Sequence, residues 1–561
     1  MRVTANQNLD LVTLEYRSSQ LPSSQHRAGL AGLVLKIQWL QEQSEFKRSV
    51  NAVCKIVDLD VCKVTLQFNL AGLTALLRSH YSASFEDRES KKLRTKSAQN
   101  FRTIQREIYN ADTDKTELTT FYIYQDLVPQ GSLVQSFDPP NNNSQIWTKL
   151  WREATWTVLR PRDQQRLPFK AMVGGTNPPE IEKIWKLLRD RPDATVELSS
   201  THILGVQAKN NEGVSISDRA RFYFLLSFWS YVAQIYIPIQ VDVKDKVKLN
   251  GYAIAIPDVH NLATFCQHFP TILQQRNTKE QWGKPHGALV RHPIESGLKL
   301  MGSIHTYLCR LIPEIDLSDL LFGIDVFHIV RKKDEPQIVS IQRYLPDRDA
   351  IEEFTQLDRK IFDPVFRLQY WQNLIHDRPR INGFDSLLRD LPTAKTIKNE
   401  WFCRDFRTVF HPKCNDMAIE EIDEAISEKV IGSSETSELT RTKDISIESM
   451  LLRLLKTYTR HHLKDRFGLE WNKEWDQQSS EIKKQDAGYQ KYNDKRKQIV
   501  RDLHVDFCRP RHSNEFLTYF ASKFTGIYQY ISTEEYLLLA EQIKTQPEQI
   551  KILCLLALPA L

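Results

Sequence analysis

An acidic, Ser/Thr-rich segment divides the chain and limits the folds available to it. Positions 415–449 of the 561-residue sequence hold ten acidic residues and three basic ones, and IGSSETSELTRTKD (431–444) has almost no large apolar residue. Such a composition cannot bury enough apolar surface to form a core. We therefore predict a linker at 415–445 between a domain at 1–414, long enough for two subdomains, and a domain at 446–561.

The hydrophobic period differs on the two sides of this segment. Ahead of it, strand-like runs such as GYAIAIPDV (251–259) and GIDVFHIVRK (323–332) alternate with helical patterns such as IEKIWKLLRD (181–190). Beyond it, apolar residues recur at helical spacing from Ile447 to Tyr458 and in later segments. The predicted fold class is α+β: a large mixed α/β N-terminal domain with a mixed sheet, followed by a bundle of about four or five helices.

One uncharged run is long enough to span a membrane. Phe222–Ile239 contains 18 residues without a charge, but it carries Ser and Gln in its middle and Pro238 near its end. These features favour a buried aromatic helix followed by a strand, so we expect no membrane partner. The eight cysteines are far apart and include no CxxC pair, which argues against disulfides and zinc and favours the reducing cytoplasm.

Recognised catalytic motifs are missing from the sequence. It contains no GxxxxGK[ST], GxGxxG, GxSxG or HExxH pattern. The adjacent His376 and Asp377 could ligate one metal ion of a phosphohydrolase. With 15 histidines, however, about one His-Asp pair is expected by chance. We predict no enzymatic activity, metal or cofactor, and keep a metal-dependent nuclease at His376 and Asp377 as an alternative.

The strongest positive signal is a cluster of basic residues between positions 88 and 106. Seven basic residues there oppose one acid, Glu89, for a net charge of +6, equal to that of the whole chain. Interspersed amide and hydroxyl side chains complete the mixture that phosphate and base contacts require. A solvated helix face or flexible loop is the alternative. The DNA-binding candidates are Arg88, Lys91, Lys92, Arg94, Lys96, Gln99, Asn100, Arg102 and Arg106.

A second basic cluster lies in the C-terminal domain and is interrupted by Asp494, Asp502 and Asp506. It suits a phosphate-binding surface and a salt-bridged, exposed helix equally well. Its members are Lys491, Lys495, Arg496, Lys497, Arg501, Arg509 and Arg511.

The segment LPSSQHRAGLAGLVL (21–35) resembles the start of the Myxan-type large subunit of Cascade, the CRISPR surveillance complex; this family is named Cmx-eight within the Cas-eight group. A weaker likeness extends through 222–236, 251–259 and 323–330. The resemblance implies a non-catalytic subunit at the foot of a crRNA-guided complex in a prokaryotic cytoplasm. Its N-terminal domain would sense the protospacer-adjacent motif (PAM) in duplex DNA, and its helical bundle would lie along the complex.

The resemblance also implies partners. They are the 5′ end of the CRISPR RNA, target double-stranded DNA, the backbone and foot subunits, a recruited helicase-nuclease and a helical small subunit. In relatives of this family, internal translation of the large-subunit gene can supply the small subunit, and Met417, Val430 and Met450 are candidate starts here. An RNA-binding scaffold without duplex recognition is a further alternative.

Two polar segments are candidates for reading the PAM or wedging the duplex open. Amide side chains suit base edges, and turn chemistry is the alternative explanation of these segments. The candidates are Gln25, His26 and Arg27, together with Asn141, Asn142 and Asn143.

Overall fold

The structure, a computed structural model, divides into two compact units, Met1–Glu352 and Glu353–Leu561. It describes residues 4–6, 10–49, 51–91, 93, 101–110, 115–140, 144–197, 203–204, 217–241, 247–312, 315–332, 335–392, 395–396, 399–410, 447–472, 474–475, 486–510, 513–524, 532–558 and 561. Among these residues, no helix is long and apolar enough to cross a membrane.

The strands of the described residues all belong to the first unit. In chain order they are β1 (Thr4–Asn6), β2 (Leu11–Arg17), β3 (Cys54–Leu59), β4 (Lys63–Phe68), β5 (Ala83–Ser90), β6 (Phe101–Asn110), β7 (Lys115–Pro129), β8 (Thr195–Glu197), β9 (Ser217–Arg219), β10 (Gln234–Val241), β11 (Val247–Leu249), β12 (Tyr252–Val259), β13 (Glu280–Gln281), β14 (Lys284–Pro285), β15 (Leu289–Val290), β16 (Leu321–Lys332) and β17 (Glu335–Tyr344).

Three sheets organise this unit. The first has the order β1-β2-β4-β3, the second β11-β10-β12-β16-β17 with β15 beside β10, and the third β5-β7-β6. Strands β10 and β15 run parallel, whereas β12 pairs antiparallel with both β10 and β16. The second sheet is therefore mixed, as predicted. β12 lies in its centre and is buried from residue 253 to 259, as its nearly continuous apolar sequence requires.

The helices of the first unit connect and cover these sheets. They are α1 (Ser24–Glu42), α2 (Ser44–Arg48), α3 (Leu70–His80), α4 (Ser132–Ser136), α5 (Ile146–Ala154), α6 (Leu167–Val173), α7 (Glu180–Asp190), α8 (Ala220–Leu225), α9 (Leu262–Gln274), α10 (Glu295–Leu311) and α11 (Leu317–Leu320). The helix α12 (Arg348–Leu357) follows β17 and spans the boundary between the units.

Helix α1 is the buried centre of the first unit. It contacts β3 of the first sheet and β12 of the second. Its two glycines allow a close approach to the end of α8 and to the aromatic segment that follows. A Cβ atom on Gly29 would lie 2.3 Å from the Leu225 carbonyl oxygen, and one on Gly32 would lie 2.2 Å from that of Phe228. The GLAGL run therefore serves helix packing, because any larger residue at these positions would clash with backbone.

The uncharged run at 222–239 is buried, as predicted, but it is less helical than expected. It contains the end of α8, a short 3-10 turn at Trp229–Tyr231 and the start of β10. Pro238 lies inside β10 and not between a helix and a strand. The ladder to β12 ends at Tyr236 and the ladder to β11 begins at Ile239, so the missing N–H of Pro238 interrupts neither antiparallel ladder.

Lys36 is buried in α1, and no carboxylate of the described residues forms an ion pair with it. The Lys36 Nζ donates to the Ser79 carbonyl oxygen at 3.4 Å and lies 4.0 Å from the centroid of the Trp39 ring. Burial lowers the pKa of Lys36 from 10.5 to about 7. The folded state therefore binds this proton less tightly than the unfolded chain does, and the buried amine destabilises the fold at neutral and acidic pH.

We predict that Lys36→Met stabilises the protein by a few kcal/mol below pH 7. Between pH 7 and 10.5 the unfolded wild-type chain holds more protons than the folded one, so wild-type stability rises with pH relative to the variant. Urea unfolding at pH 6, 8 and 10 should show the stability difference shrinking steadily. A difference that stays constant over this range would contradict the assignment.

Among the described residues, the second unit contains helices and no strand. Its helices after α12 are α13 (Pro364–Ile375), α14 (Phe384–Asp390), α15 (Glu400–Phe410), α16 (Ile447–Phe467), α17 (Ala487–Cys508), α18 (Ser513–Phe524), α19 (Thr533–Thr545) and α20 (Pro547–Ala557). A mixed α/β part followed by a helical part confirms the predicted α+β class.

The boundary between the units lies earlier than position 415. Helix α14 packs against α20, and the Leu388 backbone hydrogen-bonds the side chain of His504 in α17. The helices between 364 and 410 therefore belong with those after 446, and the α/β part ends before them. Residues 415–445 lie outside the described residues, so the linker remains a prediction.

Candidate nucleic-acid interface

Strands β5, β6 and β7 form an antiparallel sheet with β7 in its centre. This sheet, together with Lys91 directly after β5, is here called the ribbon. Among the described side chains of the ribbon, only those at positions 123, 124 and 129 are buried. Large apolar side chains, including Phe85 and Leu118, face solvent. A sheet with so little core of its own and with exposed apolar residues is typical of a surface that binds a partner.

One face of the ribbon carries an acidic strand, an apolar strand and a basic strand side by side. Glu89 on β5 and Arg102 on β6 both lie opposite Ile123 on β7, so the three side chains share a face. Arg102 forms an ion pair with Asp87, and Arg106 Nη2 lies 2.7 Å from Glu89 Oε1. The cations of β6 therefore reach across β7 to the carboxylates of β5.

An aromatic ring lies between two cations on this face. The Phe121 ring centroid is 5.8 Å from Lys91 Nζ and 5.7 Å from Arg106 Cζ. On the other face, Arg88 lies opposite Tyr124, and its Nη1 is 3.8 Å from Asp126 Oδ2. Proteins that bind single-stranded nucleic acid combine basic groups with aromatic rings in this way to contact phosphates and bases.

The ribbon contains four of the nine predicted DNA-binding residues, Arg88, Lys91, Arg102 and Arg106, and all four are exposed. They lie on or beside two strands, not on a helix face. The other five, Lys92, Arg94, Lys96, Gln99 and Asn100, lie outside the described residues. The predicted cluster begins at Arg88 and so excludes the acidic residues at the start of β5. Over residues 83–110, which include them, the net charge is +3.

The ion pairs of the ribbon do not prevent phosphate binding. Exposed pairs contribute about 0–1 kcal/mol each, because water screens the charges and the long side chains lose entropy. A phosphate can therefore replace a carboxylate as partner of Arg102 or Arg106 at little cost. Asp87 and Glu89 therefore reduce the attraction of the ribbon for nucleic acid without removing it.

The structure corrects the prediction that Gln25, His26 and Arg27 contact the PAM, because all three lie at the start of α1 with partners inside the fold. Gln25 and His26 are buried. Gln25 Nε2 donates to the Leu204 carbonyl oxygen at 3.0 Å, and the Leu204 amide donates to Gln25 Oε1 at 2.9 Å. His26 Nε2 lies 2.8 Å from Asp218 Oδ2. These side chains are buried and have partners within the fold, so they anchor α1 and cannot reach a base edge. Polar residues at the start of a helix can serve such internal pairing as well as base contacts.

Arg27 belongs to a charge network that ties α1 to the second sheet. It pairs through Nε and Nη2 with the fully buried carboxylate of Asp258 in β12. Arg343 of β17 donates to the same carboxylate at 2.6 Å and to Asp325 Oδ1 at 3.1 Å, and Ser24 donates to Asp325. Two arginines around one buried carboxylate satisfy its lone pairs, so the network is structural. Asn141, Asn142 and Asn143 lie outside the described residues.

The second predicted basic cluster lies on and just after α17. Lys491, Lys497 and Arg501 are exposed, and no carboxylate among the described residues is recorded within 4.0 Å of them. Three other members have partners within the chain. Lys495 lies over the Phe467 ring at 4.8 Å, Arg496 donates to Asn493 at 2.8 Å, and Arg509 Nη1 lies 3.3 Å from Asp506. Arg511 lies outside the described residues. A cationic stripe thus remains on one helix face.

The pair considered for metal binding lies at the end of a helix. His376 is the C-terminal cap of α13, Asp377 has a φ of 49°, and both are exposed. Among the described residues, no group of three or more His, Cys, Asp or Glu side chains is placed to hold a metal ion. A helix-ending turn accounts for the geometry of these two residues.

Comparison with protein families decides the identity of the chain. A model of the type I-B CRISPR Cas8b N-terminal domain matches residues 53–311, and a model of the type I-B CRISPR Cas8b C-terminal domain matches residues 321–561. The chain belongs to the Cas8b family. It is a large subunit of a type I CRISPR interference complex, so the resemblance to the Cas-eight group is confirmed, with type I-B as the matching subtype. No curated protein matches the chain.

The boundary between the two Cas8b domains crosses the second sheet. Strands β10 and β12 fall within the N-terminal match, and β16 and β17 within the C-terminal one. β12 pairs with β16 over residues 252–259. The two sequence families therefore meet inside one folded unit, and this unit needs both for its central sheet.

Proposed function

We propose that this Cas8b subunit is non-catalytic, recognises the PAM in duplex DNA, stabilises the R-loop and recruits a helicase-nuclease to a cytoplasmic prokaryotic Cascade. Its other partners would be the 5′ end of the CRISPR RNA and the backbone and foot subunits. The ribbon is the observation that carries this proposal, because its arginines and lysine project into solvent from a sheet with almost no core of its own.

The ribbon suits duplex contact for two physical reasons. A β-ribbon fits the major groove of B-form DNA, and arginines on its edges can reach the phosphates on either side. Guide RNA reads most of the target by base pairing, so the protein needs contacts to only a few base pairs and to backbone shape. Asn141, Asn142 and Asn143 remain the wedge candidates, whereas the residues at the start of α1 do not.

The basic stripe of α17 supports a second contact. Lys491, Lys497 and Arg501 face solvent on one helix, where a separated DNA strand could be followed through its phosphates. Lys495, Arg496, Arg509 and Arg511 would add to this surface. Contacts of this kind stabilise an R-loop without reading its sequence.

We predict that the assembled complex binds PAM-containing target DNA but cuts it only after the helicase-nuclease is added. The double variant His376→Ala, Asp377→Ala should match the wild type in binding and in recruited cleavage, because both residues end a helix at the surface. Cleavage assays with Mg²⁺ and Mn²⁺ check this result. Metal-dependent cutting by the isolated wild-type chain that is lost in the variant would favour the nuclease alternative.

We predict a C-terminal fragment made by internal translation at Met417, Val430 or Met450. Met450 is buried in α16, so a product starting there loses the first residues of that helix. Any of these products also lacks α13, α14 and α15, so the surface of α20 that α14 covers is left for another partner. Intact mass spectrometry of complexes made from the unmodified gene should detect the fragment. A complex with only the full-length chain would exclude it.

A further inference from the structure

Strand β17 is an unpaired edge of the central sheet of the first unit. It has ten residues, and among the described residues its only ladder partner is β16. Edge strands in monomeric proteins are usually short or carry charges, prolines or bulges that hinder further pairing. β17 has Pro336 near its start and a register shift after Ile338, but Gln337–Gln342 (QIVSIQ) has no charged residue over six positions.

Apolar side chains are exposed along this edge. Ile338 (38% exposed) lies opposite Ile329 and Ile341 (54% exposed) lies opposite Phe327, so these two side chains share one face of the sheet. Val339, 59% exposed, lies between them where the register of β16 and β17 shifts, and it has no partner on β16. A strand added alongside β17 would cover these exposed apolar side chains and also satisfy the free backbone groups of the edge.

We propose that β17 binds an extended, uncharged and apolar segment of a neighbouring protein subunit of the CRISPR complex, which adds a strand to the second sheet. A second copy of this chain is a poorer occupant. Stable dimers need about 20–30 residues on each side, whereas β17 supplies ten. Within a multi-subunit complex, the strand contact adds to other contacts and need not hold the partner alone.

The ends of β17 fix its position for such pairing. Glu335 pairs with Arg162 at 3.0 Å, and Arg343 is held by Asp258 and Asp325. Both terminal charges therefore have partners within the first unit, and the uncharged middle is the part left for another chain. This inference uses membership of the complex and not the DNA contacts proposed for the ribbon.

The test is incorporation of a Val339→Lys, Ile341→Lys variant into the complex without DNA. Both side chains are exposed, so the variant should keep the wild-type melting temperature, which is measured first. Two ammonium groups placed against an added strand should weaken incorporation about tenfold or more. The control is Val247→Lys, Leu249→Lys on β11, the opposite edge of the same sheet, which adds the same charge at exposed apolar positions.

Native mass spectrometry reads the occupancy of each variant in the complex. Loss in the β17 variant with normal occupancy of the β11 control supports the proposal, and protection of β17 amides from hydrogen exchange in the wild-type complex locates the contact. Normal incorporation of the β17 variant overturns it. So does a wild-type dimer of the isolated chain that the β17 substitutions dissolve, because the occupant is then a second copy.

Discussion

Replacing Asp258 with alanine should lower the free energy of unfolding by about 3–5 kcal/mol. Its carboxylate is fully buried and pairs with Arg27 at the start of α1 and with Arg343 on β17. Removing it leaves Arg27 largely buried without its carboxylate and loosens the attachment of α1 to the second sheet. Because α1 is the buried centre of the first unit, the cost should appear as a lower urea midpoint for that whole unit.

A surface ion pair provides the control for this variant. Asp58 pairs with Lys63 at 2.7 Å, but both side chains are partly exposed. Asp58→Ala should therefore cost less than about 1 kcal/mol. Equal effects of the two substitutions, or a change below 1 kcal/mol for Asp258→Ala, would mean that the network does not hold the unit together.

Replacing Arg88, Lys91, Arg102 and Arg106 of the ribbon with glutamine should weaken binding of the assembled complex to PAM-containing DNA and reduce its salt dependence. Each phosphate contact contributes about 0.9 to the slope of log K against log salt, so loss of four contacts lowers the slope by up to about 3.6. The original carboxylate partners hold some of these cations, so a smaller change corresponds to fewer phosphates contacted. Binding isotherms at four salt concentrations give the slope.

Four exposed cations elsewhere in the first unit provide the matched control. Glutamine at Lys55, Lys183, Lys186 and Arg310 removes the same net charge from positions outside the ribbon. This variant should keep a nearly wild-type slope. If both variants lowered the slope equally, the effect would come from overall charge and the ribbon would have no special role.

Hydrophobic period was sufficient to predict much of the fold. The alternating run at 323–332 lies within β16, the apolar run at 251–259 contains β12, and the helical pattern at 181–190 coincides with α7. Each of these elements buries one face or its whole length, and such burial gives a periodic or continuous apolar pattern in the sequence. The hydrophobic period did not predict the position of the domain boundary, because the helices before and after the acidic segment have the same period.

The candidate site was harder to predict because its pairing is distant or polar. β5 and β6 carry charged residues where strands usually carry apolar ones, and both pair with β7. A charge count along the sequence cannot show that Asp87 faces Arg102. The contact between Arg27 and Asp258 joins residues 231 positions apart. No local sequence pattern shows such a contact. The sequence alone therefore did not distinguish Arg27, which anchors α1, from an exposed arginine that contacts bases.

Site-specific photocrosslinking from the ribbon to target DNA tests the central claim most directly. A crosslinking amino acid at Gln105, an exposed position of β6, should join to DNA strands of the PAM duplex in the assembled complex. The same group at Glu182, an exposed position of α7, should not do so. Crosslinks from position 105 only to protein, or only to DNA far from the PAM, would contradict the assignment of the ribbon as the PAM-proximal DNA contact.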